Sequence, residues 1–123
     1  VPFFTYWKGH IKPAVSDAMI CQIDIMNSLA QLVGIPVDDS LDSKCMLGTI
    51  MGNDAEGREE LVLEAQGKLC FRMGKWAMIP PYSGPERNET GNELGNLKAF
   101  ALYDIESDPS QTKDLAAENQ QHL

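Results

Sequence analysis

The sequence predicts an α+β fold in which a strand and a helix precede a four-stranded, mainly antiparallel sheet and a terminal helix. Between positions 26 and 33, apolar residues recur at helical spacing, and after position 60 they follow the two-residue period of strands. Glycine-containing turns separate the short apolar runs of the second half. The 123 residues are enough for one modest hydrophobic core.

The first predicted elements are a strand at 1–7 and a helix led by Asp24. The strand is apolar and aromatic, which suits burial on both faces. We expect Asp24 to be the helix N-cap, because its carboxylate can accept the free N–H groups of the first turn. Residues 18–23 fit either an extended run or an earlier helical turn. Gly34 and Pro36 end the helix, whose apolar positions are Met26, Leu29, Ala30, Leu32 and Val33.

An acidic connector at 36–44 and a short helical piece within 45–51 are expected before the sheet. Gln66 and Gly67 should turn a hairpin, and Gly74 should separate the hairpin from the next strand. The four predicted strands are 61–63, 69–72, 75–79 and 100–105, and a polar terminal helix is expected over 112–119.

The long segment from Tyr82 to Leu97 is the candidate functional feature of the sequence. It is rich in Gly, Asn, Pro and Glu, and loops of this length are commonly either functional or disordered. Tyr82, Arg87, Asn88 and Asn92 offer hydrogen-bond donors for sugar hydroxyls or a sulfate. We predict a substrate-contacting loop, with a merely mobile loop as the alternative.

Charge and cysteine content exclude several classes of function. The formal net charge is −8, so the surface is poorly suited to binding nucleic acid and would repel anionic lipid. No apolar run approaches the roughly 18 residues of a membrane span. Cys21, Cys45 and Cys70 are far apart and form no Cys-x-x-Cys pair, which argues against a zinc site.

Four stretches resemble motifs of one enzyme family. Residues 1–11 look like a strand ending in Trp-Pro-Gly, with Lys8 in place of the proline. Residues 22–35 look like an Asp-led helix ending in Ala-Gly. Residues 72–76 match Arg-x-Gly-Lys-Trp, and residues 102–109 resemble Leu-Tyr-Asp-Leu-x-x-Asp-Pro, with Ile105 in place of the second leucine. In this order they resemble the C-terminal region of sulfatases, in the alkaline phosphatase superfamily.

The resemblance implies that residues 1–52 belong to the end of the large α/β domain and 53–123 to the small C-terminal subdomain. Sulfatases hydrolyse sulfate esters with a formylglycine, made from a Cys/Ser-x-Pro-x-Arg motif, and a calcium ion. None of the three cysteines has that motif, and the family's metal-binding pairs lie upstream of this region. The chain alone is therefore predicted to be inactive and to hold no cofactor, while formylglycine and calcium are expected in the parent enzyme.

The chain starts on Val1-Pro2-Phe3-Phe4, as if inside a strand, and this predicts a fragment of a longer protein. The expected partners are the remainder of the sulfatase chain and, in the parent, a sulfated small molecule or glycan. The fragment alone should form a homo-oligomer through its aromatic N-terminal segment or the following helix. The resemblance implies a periplasmic, secreted or lysosomal parent. The alternatives are part of a phosphodiester or phosphonate hydrolase and a non-catalytic binding module.

Overall fold

The computed structural model describes residues 3–38 and 40–123. The chain divides into two compact units, Val1–Arg58 and Glu59–Leu123. Val1 and Pro2, which begin the predicted first strand, and Asp39 of the acidic connector lie outside the described residues. The assignment of 1–52 and 53–123 to two domains of a parent enzyme stays a prediction.

The first unit contains helices α1 (Asp24–Leu32) and α2 (Leu47–Ile50). Both helices occur where the sequence predicts them, and α1 stops as expected. Gly34 has a φ of 74°, a left-handed conformation that favours glycine at a helix end. None of the helices found in residues 3–38 and 40–123 is long and apolar enough to cross a membrane.

Two expectations for the first unit are wrong. Residues 3–7 are not a strand, because no neighbouring strand pairs with them in the described part of the chain. Asp24 is not the N-cap of α1, since Ile23 holds that position and Asp24 is already the first helical residue. The Asp24 carboxylate instead turns toward the protein interior, where it is fully buried. Residues 18–23 form an irregular run with a turn at its end, so they are not an additional helix.

The second unit is built on a four-stranded antiparallel sheet in the order β1-β2-β3-β4. Each strand pairs with the one that follows it in sequence, so the sheet is a simple meander. The predicted sheet is therefore confirmed. Its strands are β1 (Glu60–Ala65), β2 (Lys68–Met73), β3 (Trp76–Ile79) and β4 (Ala101–Asp104).

The predicted hairpin turn at Gln66 and Gly67 is also confirmed. Ala65 pairs with Lys68 across the turn, and φ is 54° at Gln66 and 75° at Gly67. Two positive φ angles in a two-residue loop are characteristic of a type I′ turn, whose twist matches that of the strands. This turn sets the register in which Leu61 lies opposite Arg72.

The core of the second unit lies on the inner strands. Ala77 on β3 and Ala101 and Leu102 on β4 are almost completely inaccessible to solvent, and Leu61 of β1 is also buried. Leu102 pairs with Met78 and is the largest fully buried apolar side chain in the described part of the chain. The edge strand β1 is exposed at most of its positions.

The polar helix predicted over 112–119 is absent, and a short 3-10 helix, Gln120–His122, follows instead. The N–H of Leu115 donates to the carbonyl of Leu102 at 2.8 Å, and the Asp114 carboxylate accepts from the N–H of Leu102 at 3.1 Å. These two contacts satisfy the N–H and the carbonyl of Leu102 on β4. An α-helix would direct the N–H of Leu115 to its own chain four residues earlier, so the two arrangements exclude each other.

Candidate functional site

The segment 82–97 is a folded loop anchored at its base. The N–H of Tyr82 donates to the carbonyl of Leu97 at 2.9 Å, which closes the loop. The Tyr82 hydroxyl accepts a hydrogen bond from the backbone of Leu69, and the Lys68 ammonium donates to the carbonyl of Leu94. Tyr82 thus holds the loop against strand β2.

At the tip of this loop, Arg87 and Glu93 form an isolated antiparallel bridge and an ion pair of 2.7 Å. Both side chains are mostly exposed, at 62% and 77%. The Asn88 side-chain oxygen accepts hydrogen bonds from the N–H and hydroxyl of Thr90 and from the N–H of Asn92, at 2.8–3.0 Å. The tip is therefore organised by its own side chains.

Three of the four predicted loop residues, Arg87, Asn88 and Asn92, meet at the tip, whereas Tyr82 lies at the base. The Asn92 amide donates to the Thr90 hydroxyl at 3.1 Å and is exposed. The segment 82–97 carries three glutamates and one arginine, and Arg87 is already paired with Glu93. This arrangement presents neutral amides and hydroxyls, which suit sugar hydroxyls better than a sulfate anion.

A buried ion pair lies at the start of α1. Arg58 donates from Nε and Nη2 to the two carboxylate oxygens of Asp24, at 2.8 and 2.5 Å. The same carboxylate accepts from the N–H of Cys21 at 2.8 Å and of Lys44 at 2.9 Å. Arg58 also donates to the carbonyl of Asp42. One carboxylate therefore joins three separate segments of the first unit.

These partners keep the Asp24 carboxylate charged. Burial by itself raises the pKa of Asp24, but hydrogen bonds from Arg58, Lys44 and Cys21 outweigh burial, and the pKa is lower than usual. The pKa of Arg58 is raised, chiefly by its hydrogen bond to Asp24. At neutral pH the pair is therefore ionised, and it acts as a structural ion pair rather than as a proton-transferring acid.

Gly57 allows Arg58 to reach the carboxylate of Asp24. A Cβ at position 57 would lie 2.5 Å from the backbone nitrogen of Met19, so only glycine fits this close approach. The next N–H, that of Arg58, donates to the carbonyl of Met19 at 2.7 Å. The sequence analysis did not identify Arg58 as a structural residue. The sequence feature that could have indicated its role is that Arg58 is a single arginine among four acidic residues, Asp54, Glu56, Glu59 and Glu60.

A second ion pair lies at the end of the sheet, between residues of the sequence motifs at 72–76 and 102–109. Lys75 donates to Asp104 at 2.7 Å and lies 4.8 Å above the ring of Trp76. Its hydrogen bond raises the pKa of Lys75 and lowers that of Asp104. His122 stacks on Trp76 at 4.9 Å. This group ties β3, β4 and the last residues together, and its aromatic face is occupied by the chain itself.

The described residues do not fit the calcium site that the resemblance implies for a sulfatase. In 3–38 and 40–123, no three His, Cys, Asp or Glu side chains come together as metal ligands. Cys21, Cys45 and Cys70 are free thiols, and burial raises the pKa of Cys70, which disfavours a nucleophilic thiolate.

Comparison with known proteins gives related chains over almost the whole sequence. N-acetylgalactosamine-6-O-sulfatase of Bacteroides thetaiotaomicron is 35% identical over 97% of this chain, which covers 24% of that protein. Arylsulfatase A of Homo sapiens is 25% identical over 93% of this chain, which covers 25% of that protein. The chain thus spans about a quarter of the length of these relatives. No protein-family model matches it.

Solved structures agree with these relatives. A sulfatase structure from work on glycosaminoglycan metabolism by Bacteroides thetaiotaomicron superposes with a TM-score of 0.87 and 33% identity. The match covers 94% of this chain and 25% of the solved chain. A structure described as Ps i-CgsB has a TM-score of 0.53 at 20% identity over 81% of this chain and 21% of its own, which indicates a shared fold alone. The chain is therefore a homologue of sulfatases and corresponds to the C-terminal region of that family.

Proposed function

We propose that this chain is the C-terminal part of a sulfuric ester hydrolase, in which it stabilises the fold and contributes part of the substrate pocket. The observation that carries the proposal is the 35% identity to a sulfatase over 97% of the chain. In this proposal the nucleophile, the formylglycine and the calcium ion belong to the remainder of the enzyme. The chain contributes no catalytic residue.

The relative with 35% identity is named for N-acetylgalactosamine-6-O-sulfate, so a 6-O-sulfated amino sugar is the first substrate to test. The loop 82–97 would contact the sugar rather than the sulfate. Asn88 and Asn92 present neutral polar groups at its tip, and the Arg87 guanidinium is paired with Glu93. Neutral amides hydrogen-bond sugar hydroxyls, whereas an acidic loop would repel a second anion.

The test of the hydrolase proposal starts from the coding sequence upstream of Val1. It should encode a Cys/Ser-x-Pro-x-Arg motif, and the full-length protein should release sulfate from 6-O-sulfated N-acetylgalactosamine in the presence of calcium. The isolated 123 residues should release none. A start codon immediately before Val1, or sulfate release by the isolated 123 residues, would contradict the proposal.

The loop proposal has its own test in the full-length enzyme. Asn92→Ala should raise KM for the sulfated sugar by about three- to tenfold, the loss of one to two neutral hydrogen bonds. Hydrolysis of a simple aryl sulfate, which has no sugar, should be unchanged. Asn53→Ala, at an exposed position in the first unit, is the matched control and should leave both substrates unaffected. Equal effects of Asn92→Ala on both substrates would exclude sugar recognition by the loop.

A further inference from the structure

Positive charge is concentrated at a turn in the first unit, residues 7–12, which we call the basic turn. Lys8 and Lys12 precede position 16 in the sequence, and all 18 Asp and Glu residues follow it. Residues 1–16 therefore carry a formal charge of +2 on a protein whose formal net charge is −8. Both lysines are exposed, so they give this part of the surface a local positive potential.

The chain itself does not neutralise these two lysines. In residues 3–38 and 40–123, the cationic side chains that form ion pairs are Arg58, Lys75, Arg87 and Lys113. Lys8 and Lys12 form no ion pair within those ranges. Their ammonium groups are therefore available to an anion that does not belong to this chain.

The basic turn has a geometry in which proline is favoured at the position of Lys8. The N–H of His10 donates to the carbonyl of Trp7 at 3.0 Å, and φ is 81° at Gly9. These are features of a type II β-turn, whose second position commonly holds proline because the fixed φ of proline fits there. The Trp-Pro-Gly motif that this segment resembles has that proline. With Lys8, the turn loses the restraint of proline and gains a cation.

Other contacts hold the basic turn in place. The N–H of Ile11 also donates to the carbonyl of Trp7 at 3.0 Å, and the rings of Trp7 and His10 have centroids 4.1 Å apart. Pro13 disfavours a helical backbone at the preceding residue, Lys12. The backbone on either side of the turn is therefore constrained, which reduces the entropy that ligand binding would cost.

We propose that the basic turn is an accessory binding site for a sulfated glycan, separate from the site of hydrolysis. The ammonium groups of Lys8 and Lys12 would pair with sulfate groups along the glycan, and lysine does so as a point charge that needs no fixed geometry. The choice of a sulfated glycan rests on the proposed function, whose substrate is a sulfated sugar. A glycan held at this turn would raise the effective concentration of sulfate esters at the enzyme.

The test measures the affinity of the full-length protein for dextran sulfate, with unsulfated dextran of the same length as the reference. Lys8→Pro removes one cation and keeps the type II turn, and Lys12→Gln removes the other. The double variant should bind dextran sulfate about tenfold more weakly than the unsubstituted protein. Lys98→Gln, at an exposed lysine of the second unit, is the matched control and should leave the affinity unchanged.

Two further measurements show whether charge at the basic turn is the cause. Lys8→Pro should not lower the midpoint of thermal unfolding, because proline fits this position of the turn. Raising the salt concentration to about 1 M should remove the difference between the double variant and the unsubstituted protein, because exposed charges are then screened. Equal affinity for dextran sulfate and dextran, equal affinity for double-stranded DNA, or equal affinities of the double variant and Lys98→Gln would overturn the proposal.

These binding measurements need no turnover. A full-length protein that binds dextran sulfate through Lys8 and Lys12 but hydrolyses no sulfate ester would refute the proposed function and leave the binding site in place. A full-length protein that hydrolyses sulfate esters, and whose double variant binds dextran sulfate as tightly as the unsubstituted protein, would do the reverse.

Discussion

Arg58 and Asp24, which are 34 residues apart in sequence, are joined by two hydrogen bonds within the first unit. Their side chains are 8% and 1% exposed, so both charges are removed from water. Two charges buried in this way are tolerated because they pair with good geometry and their remaining hydrogen-bonding capacity is used. The carboxylate of Asp24 fulfils this condition through the N–H groups of Cys21 and Lys44.

Removal of the arginine should therefore be costly. Arg58→Met should lower the free energy of unfolding by about 3–5 kcal/mol, because the Asp24 carboxylate would remain buried without its cation. Arg87→Met is the matched control, since it breaks the exposed pair with Glu93 and should cost about 1 kcal/mol or less. Urea unfolding of both variants measures the difference. Equal losses would mean that the Asp24 pair is not energetically distinct from a surface pair.

The stability of the chain should fall in acid. Because the pKa of Asp24 is lower in the folded state than in the unfolded state, its contribution is fully present above the unfolded value of about 4. It is lost as the pH falls through the lowered folded-state pKa, since the unfolded state then binds more protons. Asp104 and Asp108 have lowered pKa values and add in the same direction.

The Asp24 part of this dependence can be isolated by substitution. Asp24→Asn should be destabilising at neutral pH, and the difference in unfolding free energy from the unsubstituted chain should shrink below about pH 4. Asn53→Ala, at an exposed position without a titratable side chain, should show a small difference that stays constant. A constant difference for Asp24→Asn from pH 7 to pH 3 would contradict the lowered pKa.

The core of the second unit should depend strongly on Leu102. Leu102→Ala removes a fully buried side chain and should lower the unfolding free energy by about 2–5 kcal/mol. Leu69→Ala makes the same chemical change at a position that is about half exposed, and it should cost clearly less. Chemical unfolding of both variants compares them directly. Similar losses at the two positions would show that burial on β4 does not dominate the stability of the sheet.

The isolated chain should self-associate. Phe4 and Tyr6 are more than four-fifths exposed, and Phe3 and Trp7 are exposed beside them. Burying each aromatic side chain contributes roughly 1.5–3 kcal/mol, so several together could offset the cost of association. Light scattering over a concentration series should detect a homo-oligomer, expected to be a dimer. Phe4→Asp should shift it toward monomer, and a monomer at every concentration would refute the expectation.

The isolated chain should bind neither calcium nor zinc stoichiometrically. The described ranges 3–38 and 40–123 bring together no set of metal-ligating side chains, and the carboxylate of Asp24 is already occupied by Arg58. Titration calorimetry with each ion should give no site of micromolar affinity. A one-to-one site in that range would contradict this prediction.

Local signals in the sequence were sufficient for the sheet of the second unit. Gln66-Gly67 requires a turn with two positive φ angles, and this turn sets the pairing of β1 and β2. Gly34 and Pro36 likewise end α1 close to where they occur in the sequence. Such features are local, since each depends on the conformational freedom of one or two residues.

The errors came from interactions between distant residues. Asp24 is a residue type typical of an N-cap, but its carboxylate binds the distant Arg58 and the distant N–H of Lys44, together with the nearby N–H of Cys21. Residues 112–119 have helical composition, but Asp114 and Leu115 pair with Leu102 instead. The candidate loop was identified by its composition, whereas the pairing of Arg87 with Glu93, which reduces its suitability for sulfate, was not evident from spacing.

The sequence by itself determined the order of the elements, the hairpin register and the relationship to sulfatases. Turns, periodicity and short motifs each depend on residues that are close together in the sequence. Only the tertiary structure decided which face of α1 is buried. Its apolar spacing predicts a helix equally well in either orientation. The hydrogen bonds of Asn27 and Ser28 to residues many positions later hold the polar face inward, because buried polar groups must remain paired.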